Sequence, residues 1–270
     1  MEKTTFAPPV AIPSDFNSAV DIIVPYHGQY EKLSALLDSI FKLTRSNYYN
    51  ICIVDDASPN ENFIKTIEKN AAKNASKRKS ENIIKTIRLP KQVGFAGAIK
   101  AGFDVTENPY VCFVNSDCKI EDVNWLRAMG ECLLEMKPKG VRMVSPMTNN
   151  SVGGHPAQTG EKTVRSKDHV VLEDKEDYLS MYCFLCHREL FNRCGGFIKE
   201  YPYGFYEDQE FAARMQKNGF KQAVCRDSWI HHDGQATIKP LWRSDPKVIN
   251  IMEVDNRNRC IADMKSLNQI

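Results

Sequence analysis

Short apolar, β-rich runs alternate with stretches of helical period along most of this chain. Val20-Asp-Ile-Ile-Val24 precedes a helical pattern from Glu31 to Lys42, and Ile51-Cys-Ile-Val54 precedes a polar helix from about Asn60. Ile83 to Leu89 is followed by a helix from about Ala96, and Tyr110 to Val114 by one from about Asp122 to Met136. This βαβα order predicts an α/β fold in which a mainly parallel, doubly wound central sheet is flanked by helices. After Val141-Arg-Met-Val144 the pattern changes. Ser145 to Asp177 is polar, contains Gly153-Gly154 and shows little periodicity, as substrate loops often do. A strand over Tyr178 to Cys186, a short helix from His187, a helix over Asp208 to Asn218 and two short strands near Ala223 and Trp229 complete the expected core. The plan is therefore an extended, proline-bearing leader over 1–19, one domain over 20–240 and a helical extension over 241–270.

Composition narrows the partners. The chain has 270 residues, 42% hydrophobic and 26% charged, with a net charge of +2. That is an ordinary globular composition without the global field that drives unspecific binding to nucleic acid or anionic lipid. The Lys- and Asn-rich stretch from Lys69 to Asn82 lacks interleaved aromatics and reads as a solvated helix end and loop, not a nucleic-acid tail. No apolar run is long enough to span a bilayer, and the first residues lack the apolar core of a signal peptide, so the expected location is cytoplasmic. The nine cysteines are scattered, mostly in apolar runs, and read as buried free thiols. Cys183-Phe-Leu-Cys186 has metal-like spacing but no second pair at a zinc-ribbon distance, and fits a strand better.

In a parallel α/β sheet, ligands gather beyond the carboxyl ends of the strands. The residues ending the apolar runs are therefore the first candidates: Pro25-Tyr26-His27, Asp55-Asp56-Ala57-Ser58, Gln92-Val-Gly94-Phe95-Ala-Gly97 and Asn115-Ser116-Asp117. Asp55 and Asp56 can accept hydrogen bonds from a base or ribose, and Asp117 can coordinate a hard divalent cation. Each motif alone also reads as a helix cap or turn. The Gly94, Gly97 and Gly102 spacing is not a dinucleotide fingerprint and follows the third strand. A second group lies downstream, in Gly195-Gly196-Phe197, Tyr206-Glu207-Asp208-Gln209-Glu210 and Ile230-His231-His232-Asp233-Gly234. Carboxylates at a helix start also suit its dipole, whereas adjacent strand-end histidines are compatible with metal ligation.

Taken together, these seven motifs in this order, from about Asp21 to about Thr237, resemble the family 2 glycosyltransferases of the GT-A fold, especially the rhamnosyltransferase-like and cell-surface glycan branch. The resemblance implies an inverting transfer of a sugar from a nucleotide-diphosphate donor to a hydroxyl of a glycan or other acceptor. It places Val24, Pro25, Tyr26, Asp55 and Asp56 at the nucleoside, and Gly94, Phe95, Lys100, Asn115 and Ser116 near the rest of the donor. Asp117 would hold Mn²⁺ or Mg²⁺ with His231, His232 being an alternative to His231; Asp208 would be the catalytic base, with Glu207 positioning the acceptor. Asn115 stands where the family's D-x-D element has its first carboxylate, and Gln92 and Lys100 stand where asparagines are common. Inversion in one displacement requires a base opposite the leaving diphosphate, which a carboxylate near the acceptor hydroxyl supplies. Two other readings compete: a glycosyltransferase-like binding domain without turnover, and a sugar nucleotidyltransferase. The latter would carry a Gly-rich, Arg-containing loop after the first strand, where this chain has Tyr26-His27-Gly28-Gln29.

Overall fold

The computed structural model describes residues 16, 18–44, 49–60, 62–67, 69, 83–197, 201–234, 243 and 245–268. The first apolar run forms β1 (Val20–Tyr26) and the helical pattern after it forms α1 (Tyr30–Leu43). Next come β2 (Tyr49–Asp55), β3 (Ile84–Arg88), α2 (Gly94–Asp104) and β4 (Tyr110–Val114), with residues 62–67 helical between β2 and β3. The second half holds β5 (Cys118–Ile120), α3 (Trp125–Met136), β6 (Val141–Thr148), β7 (Val170–Val171) and β8 (Cys183–His187). It continues with α4 (Arg188–Cys194), α5 (Glu207–Lys217) and β9 (Lys221–His232). Two further helices, α6 (Pro246–Asn250) and α7 (Asn256–Asn268), are joined by a π-helical turn over Ile251–Asp255.

The described strands form one sheet in the order β3-β2-β1-β4-β8-β6-β9-β5, with β7 against β9. β3, β2, β1 and β4 are mutually parallel. β8 is antiparallel to both β4 and β6, so β6 returns to the direction of β4, and β9 runs parallel to β6. The carboxyl ends of β1, β2, β4, β6 and β9 therefore share one edge with the start of β8. Topology alone brings sequence-distant motifs to that edge.

Both faces of the sheet are covered, and the strands alternate between two cores. Ile22, Val24, Ile51 and Ile53 pack with Leu33, Leu36 and Ile40 of α1 and Trp125 and Met129 of α3. Ile23, Cys52 and Val54 face the other way, with Ile99 of α2 and the aromatic group of Phe113, Phe184, Phe191 and Phe211. Leu33, Leu36 and Ile40 recur at helical spacing and are fully buried, each contributing roughly 1.5–3 kcal/mol. Gly102 lets α2 lie close to the sheet, since a Cβ there would sit 2.5 Å from Ile23 Cγ2.

Some elements differ from the sequence expectation. β9 is one twelve-residue strand instead of two. Its pairing with β6 jumps from Pro146↔Cys225 to Met147↔Trp229, a bulge that absorbs the polar Arg226-Asp227-Ser228 interruption. Three-residue β5 escapes detection because it is shorter than a recognisable period. β8 begins at Cys183, five residues later than expected, and the residues before it turn toward the strand edge. Cys183 and Cys186 are both fully buried in it, and the cysteines are all free and buried. Most of the expected leader and of Lys69 to Asn82 lies outside the described residues, but Phe16 packs into the core, its ring 5.0 Å from that of Tyr110.

Candidate functional site

A cleft of about 1070 Å³, open to solvent, runs along the shared edge. One wall consists of Pro25 and Tyr26 at the end of β1 and His27 after it, Asp56 after β2, and the turn from Gln92 to Phe95 that starts α2. Asp56 organises this wall. Its carboxylate accepts the backbone N–H of Val93 at 2.7 Å and of Gly94 at 2.8 Å, while its carbonyl oxygen lies 2.8 Å from His27 Nδ1. These groups are at the positive end of α2, where an anion is stabilised by dipole and orphan donors together. Burial still raises the Asp56 pKa, opposed by those two hydrogen bonds. Gly94 is required here for two reasons: its φ is +77°, and a Cβ would come within 2.8 Å of the Tyr203 nitrogen.

The cleft floor is formed by Asn115, Ser116 and Asp117 after β4, His232 at the end of β9, and Ser180 to Tyr182 before β8. Antiparallel pairing sets Cys118 opposite His232, which brings His232 Nε2 to 3.4 Å from Asp117 Oδ1. The imidazole is stacked on Tyr182, with ring centroids 5.0 Å apart, and its Nδ1 lies 2.7 Å from the Asn150 carbonyl oxygen. Burial lowers the His232 pKa, but the Asp117 carboxylate and the Asn150 carbonyl outweigh it and the net shift is upward. Asn149 holds the same residue by its backbone, accepting the His232 N–H at 2.8 Å and donating to its carbonyl at 3.1 Å. A carboxylate oxygen, an imidazole nitrogen and the buried Cys118 thiol thus lie within 4.8 Å of one another. The oxygen and nitrogen donors are of a kind that could hold a divalent cation.

The opposite wall is the start of α5 and the loop before it. Tyr203, Gly204, Phe205 and Tyr206 all have positive φ, between 65° and 119°, a strained run that delivers Glu207 and Asp208 to the cleft. Glu207 Oε2 is buried with no hydrogen-bond partner among the described residues. Burial, reinforced by the charge of Asp208, pushes Glu207 up to about 8, and burial pushes Asp208 up to about 6. Glu210 on the next turn faces away and pairs with Arg214 at 2.5 Å. The loop is braced from behind by α7: Asn256 Nδ2 donates to the carbonyls of Pro202 at 3.0 Å and Gly204 at 2.8 Å, and the Tyr201 hydroxyl donates to Asp263 at 2.9 Å.

Of the residues singled out from sequence, Pro25, Tyr26, Asp56, Gly94, Phe95, Asn115, Ser116, Asp117, Glu207 and Asp208 meet in this cleft. Four do not. Val24 is fully buried in the core. Asp55 is also fully buried, accepting hydrogen bonds from the Ser58 backbone at 2.8 Å and from Arg88. Lys100 bonds Asp104 on the exposed side of α2 at 2.5 Å and 2.7 Å. His231 points outward to Asp233 at 3.1 Å, and Asp233 in turn pairs with Lys32 at 2.5 Å. Of the loop from Ser145 to Asp177, Val152 lines the cleft, Asn149 and Asn150 support His232, and His155 lies 3.7 Å from Asp177. Sequence reasoning passed over Ser180, Met181, Tyr182 and the Tyr203-Gly-Phe205 run. The aromatic-glycine composition just before the acidic cluster was the available signal for the latter.

This fold is the GT-A fold of nucleotide-sugar-dependent transferases, as three solved structures show. Sequence identity is low: GalNAc-T7, solved with UDP, GalNAc and Mn²⁺, superposes with a TM-score of 0.63 at 15% identity, over 80% of this chain and 44% of that one. The Pyrobaculum calidifontis mannosyltransferase PcManGT, in complex with GDP-Man and Mn²⁺, gives 0.63 at 15% identity, over 87% and 62%. Residues 1–349 of S. aureus TarS give 0.58 at 16% identity, over 92% and 71%. The chain thus spans less than two thirds of the length of the first two. No curated protein matches it in sequence. The sequence model of glycosyl transferase family 2 matches residues 21–195. The chain belongs to that family. Among the described residues, no helix is long and apolar enough to cross a membrane.

Proposed function

We propose that this protein is an inverting glycosyltransferase that moves a sugar from a nucleoside diphosphate donor to a hydroxyl acceptor, with a divalent cation, Mn²⁺ or Mg²⁺, at Asp117. The observation that carries the reading is the meeting, in one cleft, of the Asp117–His232 pair with buried Glu207 and half-buried Asp208. His232, not His231, is the imidazole within reach of Asp117. When bound, the cation would neutralise charge developing on the leaving diphosphate.

The chain's own groups account for the other requirements. Pro25, Tyr26 and the Asp56-pinned turn form the wall for the nucleoside, and Asn115 and Ser116 face the donor beside Asp117. Glu207 and Asp208 have pKa values pushed apart, which separates their roles. Above about pH 6 Asp208 is ionised and able to take the acceptor proton as the new bond forms, while Glu207 keeps its own proton and donates a hydrogen bond to the acceptor. The branch resemblance brings dTDP-linked deoxyhexoses into the donor set, beside UDP- and GDP-linked sugars.

The test is a thermal-shift panel of UDP, GDP, dTDP and CMP, each with and without Mn²⁺ or Mg²⁺, followed by transfer assays with the sugar forms of the nucleotide that binds. A metal-dependent stabilisation by one nucleoside diphosphate, weakened in Asp117→Ala, is expected. No shift with any nucleotide from a folded sample would overturn the donor assignment. Binding without turnover, across a broad acceptor panel, would instead support a binding domain.

A further inference from the structure

Away from the cleft, β9 helps to gather a second set of soft ligands. Cys132 of α3, His169 just before β7 and Cys225 of β9 present ligand atoms that all lie within 4.8 Å of one another. Three separate elements are needed to assemble them. β7 pairs antiparallel with β9 through Val170↔Val224 and Val171↔Ala223, which brings His169 alongside Cys225. Cys225 Sγ lies 3.4 Å from the Ala128 carbonyl oxygen, which fixes α3 over the same spot and with it Cys132, one turn on.

Two observations set this group apart from cysteines that merely fill space. The His169 side chain is 1% exposed, yet its Nδ1 is buried with no hydrogen-bond partner among the described residues. A buried imidazole nitrogen without a partner is costly unless something else takes its lone pair. The surroundings are also acidic. Glu135 Oε2 lies 3.9 Å from His169 Nε2, and the nearby Lys167 is already paired with Asp227 at 2.5 Å and Glu131 at 3.6 Å. Burial lowers the His169 pKa, opposed by the nearby Glu135 carboxylate.

We propose that Cys132, His169 and Cys225 form a three-ligand site for a thiophilic divalent cation, Zn²⁺ being the best match. A tetrahedral zinc ion with bonds of about 2.3 Å to sulfur and about 2.0 Å to nitrogen holds its ligand atoms roughly 3.4–3.8 Å apart. Ligand atoms already within 4.8 Å reach that spacing by small side-chain rotations. Loading would displace the two thiol protons to solvent, with His169 bound as the neutral base and a fourth position left to water. Glu135 Oε2, 3.9 Å from Nε2, would accept a hydrogen bond from Nε2–H after a small side-chain movement, leaving the unpartnered Nδ1 as the ligand atom. The ion would pin the segment before β7 to α3 and β9, clamping the far end of the loop whose near end supports His232.

The test uses the reduced full chain, freed of metal with a chelator and titrated with Cd²⁺, whose thiolate charge-transfer absorption reports sulfur ligation directly. Zn²⁺ is then titrated in competition with a chromophoric chelator. Expected are one thiolate-bound ion per chain, a two-thiolate band, release of two protons on forming it, and at least tenfold weaker thiolate-bound loading in Cys225→Ser and in His169→Gln. His169→Gln, at the edge of the fold, covers the case in which the cysteine variant fails to fold. Asp117→Asn should leave the band intact. Absence of a thiolate band overturns the proposal, as does a band that persists in His169→Gln and Cys225→Ser but disappears in Asp117→Asn, which would place the ion at Cys118 in the cleft.

Discussion

Asp56 and Glu207 are both buried carboxylates on the rim of one cleft, 4% and 8% exposed, and they are treated in opposite ways. Asp56 receives two backbone N–H groups at the start of α2, whereas Glu207 has an oxygen with no partner and follows four residues of left-handed backbone. The Asp56 carboxylate is satisfied by its own wall; Glu207 holds unsatisfied polarity at the end of a strained stretch of backbone. Such strain persists only where surrounding structure over-determines it, and here α7 braces the loop through Asn256. The contrast teaches where stability and chemistry are divided. Changes to the Asp56 wall should cost stability, and changes to the Glu207–Asp208 wall should cost turnover.

The largest effect should come from Asp208→Asn, which on this reading lowers kcat by roughly 10²–10⁴-fold while nucleotide affinity, measured by calorimetry, stays nearly unchanged. The wild-type rate should rise with pH through about 6 as Asp208 ionises. A variant that retains full turnover would remove Asp208 from the role of base. On the other wall, Asp56→Ala strips two buried N–H groups of their acceptor and should destabilise the fold by about 2–4 kcal/mol in urea unfolding. Gly94→Ala should cost about 1–3 kcal/mol, because the new methyl is strained at φ +77° and meets the Tyr203 backbone.

Glu207→Gln sharpens the comparison by its sign. The folded pKa of Glu207, about 8, stands above its ordinary 4.5, so between these values the native state holds a proton that the unfolded chain has released. Native stability therefore falls as pH rises from 4.5 toward 8, and Asp208 adds a contribution of the same sign up to about 6. Removing the Glu207 carboxylate should flatten that slope and stabilise the protein near pH 8 by on the order of 1–3 kcal/mol, with loss of turnover. Urea midpoints on either side of the window measure it; an unchanged slope would show that Glu207 is not the buried acid. The smallest effects belong to Lys100→Ala and His231→Ala, whose groups are engaged outside the cleft. Both should leave nucleotide affinity unchanged and stability within about 0.5 kcal/mol.

Much of this architecture was legible in the chain. Apolar runs of β-forming residues, each followed by a helical period, locate β1 to β4 with their helices, because each must bury its own face. The polar residues ending those runs, and the acidic start of α5, were recognisable as a set because their order along the chain is itself a signal. The long strand β9 was less legible, since the bulge at Arg226-Asp227-Ser228 interrupts its pattern.

What the sequence determined by itself was this order: strand, polar end, helix, repeated, then the acidic cluster and the histidine pair. Which member of each adjacent pair faces the cleft was decided by tertiary structure. Successive side chains on a strand point to opposite faces, so His231 and His232 cannot both reach Asp117, and only the antiparallel register of Cys118 with His232 selects the second. Asp55 and Asp56 divide likewise, Asp55 turning to Arg88 beneath β2 and β3 while Asp56 meets α2. The Cys132–His169–Cys225 group has no sequence spacing to announce it, because a helix, a loop end and a strand converge only once the sheet has formed.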